Sequence, residues 1–165
     1  MKAPDQSIVD SKKVKLQRKT GHRKVIIFDL DETLVHCTHR DADPSKADVF
    51  LDIVTPKSTV KAGFNIRLDA IECLREAGKY FEVVVFTASV KSYADSILNY
   101  LDPTNELIHH RLYRESCIFD DDQGFFVKDL RIFEDQYSFE DMIIIDNCVY
   151  SFSYQLDNGI PCINF

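Results

Sequence analysis

A chain of 165 residues is the length of one compact domain, which excludes a second full one. With 45% hydrophobic and 12% aromatic residues it has the material for a core and is not a disordered chain. Its formal net charge of -7 excludes a general nucleic-acid binder, whose affinity would come from neutralising phosphates.

Residues 1 to about 22 are polar, lack an apolar period and crowd Lys12, Lys13, Lys15, Arg18 and Lys19 together. They are expected to form a flexible basic leader, with a docking or targeting segment as the alternative, and the folded part is expected from residue 23. The run VIIF at 25–28 is continuously apolar, as in a strand buried on both faces, and stops at Asp29. Alternation at Val49, Leu51 and Ile53, a turn at Pro56-Lys57 and a second extended run at 60–66 predict an antiparallel hairpin inserted after that strand. A short helix is expected from near Asp69. A second apolar run at 83–86 stops at Thr87, and a helix through Tyr93, Ala94, Ile97, Leu98 and Leu101 ends at Asp102-Pro103. Residues 111–127 are expected to form another hairpin, with Asp120, Asp121, Asp122, Gln123 and Gly124 as a solvated turn and not a metal site. A third apolar run at 142–145 stops at Asp146. The fold class implied is α/β, a central parallel sheet flanked by helices with a small β-hairpin insertion, whose site lies beyond the carboxyl ends of the strands.

Two other features carry less. Cys37, Cys73, Cys117, Cys148 and Cys162 are odd in number and contain no CxxC pair, the pattern of reduced thiols in an intracellular protein. His36, Cys37 and His39 lack a second ligand pair and are read as loop residues. No run approaches the roughly 18 apolar residues of a membrane span.

The chemistry is concentrated in Asp29-Leu30-Asp31-Glu32-Thr33, a DxDxT directly after the first buried strand. Two carboxylates two residues apart let one attack while the other manages protons. A carboxylate that attacks phosphorus forms an acyl phosphate and divides one difficult hydrolysis into two displacements. Anionic nucleophile and anionic phosphate repel, so a hard divalent cation with oxygen ligands is required, and Mg2+ suits a site with few carboxylates. Asp146 and Asn147 offer oxygen ligands, Thr87 a hydroxyl for a phosphate oxygen, and Lys128 a positive charge. Singly each reads as a turn, a cap or a solvated lysine; the order and spacing of the set give it meaning.

That order resembles the haloacid dehalogenase superfamily of aspartate-nucleophile phosphotransferases. FDLDETLVH at 28–36, FTAS at 86–89, Tyr93-Ala94-Asp95, RESCIF at 114–119, VKDL at 127–130, Ile145-Asp146-Asn147 and NGIP at 158–161 are more narrowly similar to the phosphatases of the RNA polymerase II C-terminal domain and their nuclear-envelope relatives. The resemblance implies a Rossmann-like fold and a protein serine/threonine phosphatase. Asp29 would be nucleophile and metal ligand; Asp31 would be acid and base, lending its main-chain carbonyl to the metal. Thr87 and Lys128 would hold the phosphoryl group, Asp146 and Asn147 would complete the Mg2+ site, and Arg114 would be a second cation. Val90 and Tyr93 would line a peptide groove, with core packing as the alternative. The partner implied is a phosphoserine or phosphothreonine segment of the polymerase tail, or else a lipid-metabolic phosphatase at the nuclear envelope, and the location implied is nuclear. Oligomeric state is left open.

The chain departs from the family at Arg67-Leu68, Cys148-Val149 and Leu156, where an Arg-Pro, a Ser-Pro and a proline are common, and at His39, where relatives offer an apolar contact. Relatives also continue into a final helix, so a C-terminal truncation is expected. A non-catalytic binding module on the same fold and a small-metabolite phosphatase are the competing readings. The intact DxDxT argues against the first and the lack of room for a large cap against the second.

Overall fold

The computed structural model describes residues 3–38 and 46–165; His39 lies outside them. Five short strands form a wholly parallel sheet in the order β10-β9-β1-β5-β6. They are β1 (Val25–Phe28), β5 (Glu82–Phe86), β6 (His110–Leu112), β9 (Met142–Asp146) and β10 (Gly159–Pro161). The three apolar runs of the sequence thus lie side by side at the centre, with β1 between β5 and β9 in matched register, Val25 opposite both Glu82 and Met142.

Alternation along these strands feeds two cores. Ile26, Phe28, Val83 and Val85 face one side, where α2 (Ala70–Ala77) and α3 (Lys91–Leu101) bury Leu74, Ile97 and Leu98. A second sheet, antiparallel in the order β2-β4-β3, adds Phe64 to that side. It comprises β2 (Val35–Thr38), β3 (Val49–Val54) and β4 (Thr59–Ile66), so the inserted hairpin is present and is completed by one more strand that follows the DxDxT segment. β3 leans on α3, where Ser96 Oγ donates to the Asp52 carbonyl at 3.3 Å.

Val25, Ile27, Val84, Phe86 and Ile144 face the other side, covered by 3-10 turns at Leu130–Phe133 and Val149–Phe152 and by the amino-terminal leader. This corrects the expectation of a flexible leader. Its short helix α1 (Gln6–Lys12) and the strand-like stretch after it bury Val9 and Leu16 completely or nearly so. Gln136 exchanges two hydrogen bonds with the Leu16 backbone, and Val14 N donates to the Ile132 carbonyl. Two apolar side chains give no periodicity, yet they cover a sheet face that would otherwise meet water.

The expected hairpin at 111–127 is also corrected. Its first residues belong to β6, an edge strand of the main sheet, and the hairpin itself is confined to β7 (Ile118–Asp120) and β8 (Phe125–Val127). Its turn is as expected: Gly124 has φ +75°, and Asp120 Oδ1 accepts from the backbone of Asp122 and Gln123. No helix among the described residues is long and apolar enough to cross a membrane.

Candidate active site

Because β1, β5 and β9 are adjacent and parallel, their carboxyl ends bring Asp29, Thr87 and Asp146 to one rim of the sheet. All three are nearly inaccessible, as is Lys128. Lys128 follows β8 and is fixed by its backbone N–H, which donates to the Ser151 carbonyl at 2.6 Å. Its Nζ lies between two carboxylates, donating to Asp29 Oδ1 and, at 2.6 Å, to Asp146 Oδ2. Burial works against the ammonium charge, but Asp29 and Asp146 outweigh it and hold Lys128 above its usual value. Burial also pushes the Asp29 carboxyl up to about 6; Lys128 pulls it down, while the neighbouring Asp146 adds to the rise.

The chain leaves β1 in a tight loop. Leu34 N and Val35 N both donate to the Leu30 carbonyl, and Glu32 takes the left-handed conformation at φ 61°. Asp31 stands at its mouth with both oxygens engaged: Tyr93 donates its hydroxyl to Oδ1 at 2.5 Å and Ser89 to Oδ2 at 2.7 Å. Burial, followed by the charge of Asp31, holds the Tyr93 phenol above its ordinary value, so it remains a donor. Tyr93 is expected to line a peptide groove or to pack in the core; its hydroxyl points at Asp31 and its ring packs on Phe64 at 5.7 Å between centroids.

Thr33, the last residue of the motif, is buried and stitches this loop to the end of β9. Its hydroxyl accepts from Asn147 N at 3.2 Å and faces Asn147 Oδ1 at 3.4 Å. Arg67 holds the loop from outside, donating to the carbonyls of Thr33 and Glu32 at 2.5 and 3.0 Å. Ser89, Thr33 and Arg67 were not singled out as site residues from the sequence. Ser89 was within reach, since it sits in the FTAS segment two residues after Thr87, and Ser89 N donates to Thr87 Oγ1.

Two expected residues stand at the rim. Arg114 is exposed, its Nε donates to the Ala88 carbonyl at 2.6 Å, and its guanidinium lies 5.2 Å over the Phe126 ring. Val90 is the exposed residue preceding α3. The geometry therefore joins Asp29, Asp146 and Lys128 by direct contact, places Thr87 and Asp31 on the adjoining strand end and loop, and leaves Arg114 and Val90 outside that centre.

The family model of the NLI interacting factor-like phosphatases matches residues 24–165. The chain belongs to that family. It is 41% identical over 138 residues to CTD small phosphatase-like protein 3 of Caenorhabditis elegans, a match covering 82% of this chain and 45% of the relative. It is 32% identical over 147 residues to CTD nuclear envelope phosphatase 1B of Danio rerio, covering 84% and 58%. The chain thus spans about half the length of these relatives. Among solved structures, that of a fission yeast RNA polymerase II CTD phosphatase bound to beryllium fluoride superposes with a TM-score of 0.70 at 20% identity, covering 87% of this chain and 42% of the other. That likeness identifies the fold as the α/β fold of these phosphatases.

Proposed function

We propose that this domain is a magnesium-dependent protein serine/threonine phosphatase acting through a phosphoryl group carried on Asp29. The observation that supports it most is the buried cluster in which Lys128 reaches Asp29 and Asp146 at once, on the same strand-end rim as Thr87. A scaffold has no chemical reason to bury two carboxylates and an ammonium together, since each ion loses hydration worth several kcal/mol.

The donor set suits Mg2+. Asp29, Asp146, the Asn147 amide and the main-chain carbonyl of Asp31 are all oxygen donors. Two carboxylates match a small hard cation that keeps several of its waters. When bound, Mg2+ would neutralise charge on the phosphoryl oxygens and relieve the repulsion between Asp29 and its target.

The side chains divide the remaining work. Asp29 attacks phosphorus, and the bond from phosphorus to the seryl or threonyl oxygen breaks as Asp31 gives that oxygen a proton. Lys128 and Thr87 bind the phosphoryl oxygens from the other side, with positive charge set where negative charge gathers. Water then attacks the phosphoryl group, Asp31 takes the proton, and Asp29 is released. The loop bonds from Ser89 and Tyr93 keep Asp31 aimed throughout.

The insertions among the described residues are small sheets, one leaning on α3, which leaves an approach for a protein segment. The relatives' names direct the first choice of substrate to the polymerase tail, with a nuclear location, and the Danio rerio relative supports the nuclear envelope as the second. The test is hydrolysis of an aryl phosphate and of a polymerase-tail phosphoserine peptide, with Mg2+ and with chelator, beside Asp29→Asn. Mg2+-dependent release from both, absent in the variant, is the expected result. Release from the aryl phosphate alone redirects the search for substrate, and release undiminished in Asp29→Asn removes the assigned nucleophile.

A further inference from the structure

Beyond the rim of the candidate site a groove of about 440 Å³ runs between α1 and the β7–β8 hairpin. Val90 and Arg114 stand at it too, so it opens from the rim that the catalytic centre shares, and Arg114 is tied to the carbonyl of Ala88, next to Thr87. Its walls are mostly apolar: Ile8 from the leader, Ile118 and Phe119 from β7, and Phe126 from β8. Three of its large side chains remain in contact with water, Ile8 and Val90 at 44% and Phe119 at 47% exposure, and they converge on one concave surface. A cluster of this kind at a protein surface marks a place for a partner.

Its charges indicate which partner. Lys12 and Arg114 flank the groove against a single acid, Glu115. Lys12 donates to the Glu115 carbonyl, while the two terminal nitrogens of Arg114 make no hydrogen bond among the described residues. A guanidinium so held presents a planar pair of donors suited to a carboxylate.

We propose that this groove is a second docking subsite for the substrate, which receives an apolar side chain and an adjacent acidic residue from the segment flanking the phosphorylated serine or threonine. The inference rests on the phosphatase reading above and adds to it. Ile8 and Lys12 lie outside residues 24–165, the extent of the family match, so part of the groove's wall comes from the leader. The leader's burial against the sheet thereby acquires a purpose: it fixes one wall of the groove in register with the site.

The test uses the full chain, Ile8→Asp and Phe119→Asp, each checked for an unchanged unfolding temperature. Substrates are an aryl phosphate, a phosphoserine peptide in a Gly-Ser background, and a series in which a Phe-Glu pair is moved stepwise along that background on either side of the phosphoserine. At the preferred spacing the wild-type KM is expected to fall about tenfold below that of the plain peptide with kcat unchanged, because the subsite adds uniform binding. Both variants should lose that advantage and keep wild-type turnover of the aryl phosphate. Equal KM values for all peptides overturn the proposal, as does an advantage that survives both substitutions. A concentration-dependent dimer dispersed by Phe119→Asp, with peptide kinetics unaltered, would assign the groove to a second copy of the chain and also overturn it. A wild-type chain inert towards the aryl phosphate defeats the catalytic reading itself, a separate outcome visible before any peptide is compared.

Discussion

Glu82→Gln should loosen the leader and lower stability substantially. Glu82 opens β5 and is fully buried, and its two oxygens accept four hydrogen bonds. Oε1 accepts from Lys19 N and His110 Nε2, both at 3.0 Å, and Oε2 from Thr20 N at 3.1 Å and Thr20 Oγ1 at 2.5 Å. Glutamine keeps the shape but replaces one oxygen by an NH2 group, which removes the charge and sets donor against the backbone N–H of Lys19 or of Thr20, whichever it faces. Bonds to a charged acceptor are each worth about 1.5–3 kcal/mol, and the partly exposed leader can recover some of that loss from water, leaving a net cost of about 3 kcal/mol. At about 3 °C per kcal/mol for a domain of this size, the melting temperature should fall by roughly 9 °C. Thermal unfolding followed by circular dichroism at pH 7 measures it, and amide exchange over residues 16–22 should quicken in parallel. A fall of less than about 2 °C, or unchanged exchange in that segment, would refute the account of how the leader is held.

The same cluster sets the response to acid. Burial holds His109 and His110 below their ordinary value, against the pull of Glu82, and His109 Nδ1 accepts from Val83 N at 2.8 Å, a bond the protonated ring cannot make. Below about pH 6.5 the unfolded chain takes up protons that the folded one refuses, so stability falls there first. Burial by itself would raise the Glu82 carboxyl, but bonds from Thr20, Lys19 and His110 prevail and lower it. Its contribution is complete above the unfolded value of about 4.3 and is lost as pH drops through the lower folded value, a second stage of acid unfolding. Lys128→Met leaves Asp29 and Asp146 buried without their cation. It should abolish turnover and cost about 3–5 kcal/mol in chelator, with Mg2+ restoring much of the melting temperature; a variant whose stability ignores Mg2+ would count against the metal site. Ser89→Ala removes one donor from Asp31 and should lower kcat about tenfold with KM little changed, while Ser89→Thr restores part of it; an effect on KM alone would make Ser89 a substrate contact. Gly159→Ala places a Cβ against the Phe152 ring, although the residue's φ of -96° suits any side chain. A cost of about 1–3 kcal/mol in urea unfolding is expected, and a neutral result would mean that the ring gives way freely.

The part of the fold that could be read from the sequence is the part buried on both faces. The runs ending at Asp29, Thr87 and Asp146 announced themselves because central parallel strands meet no water on either side, so no polar residue interrupts them. Edge strands carry no such signal. β6 contains His110 and Arg111, whose side chains serve Glu82 and Asp95, and was taken for one arm of a hairpin. In the site, Lys128 and Asp31 could be read through motif spacing, whereas the donors to Asp31 come from residues 58 and 62 positions away and no local pattern encodes them. The leader was misread for a related reason: Val9 and Leu16 are too far apart to make a stripe, and only the exposed sheet face they cover explains their burial.

The central place of β1 has a consequence in time. The strand that carries Asp29 pairs on one side with residues 82–85 and on the other with residues 142–145. A growing chain therefore holds its acidic motif but lacks Lys128 and Asp146 until most of the domain has been made. Until then the cluster of Asp29, Lys128 and Asp146 cannot form. The late return of β9 to the middle of the sheet makes closure of the fold and assembly of that cluster a single event.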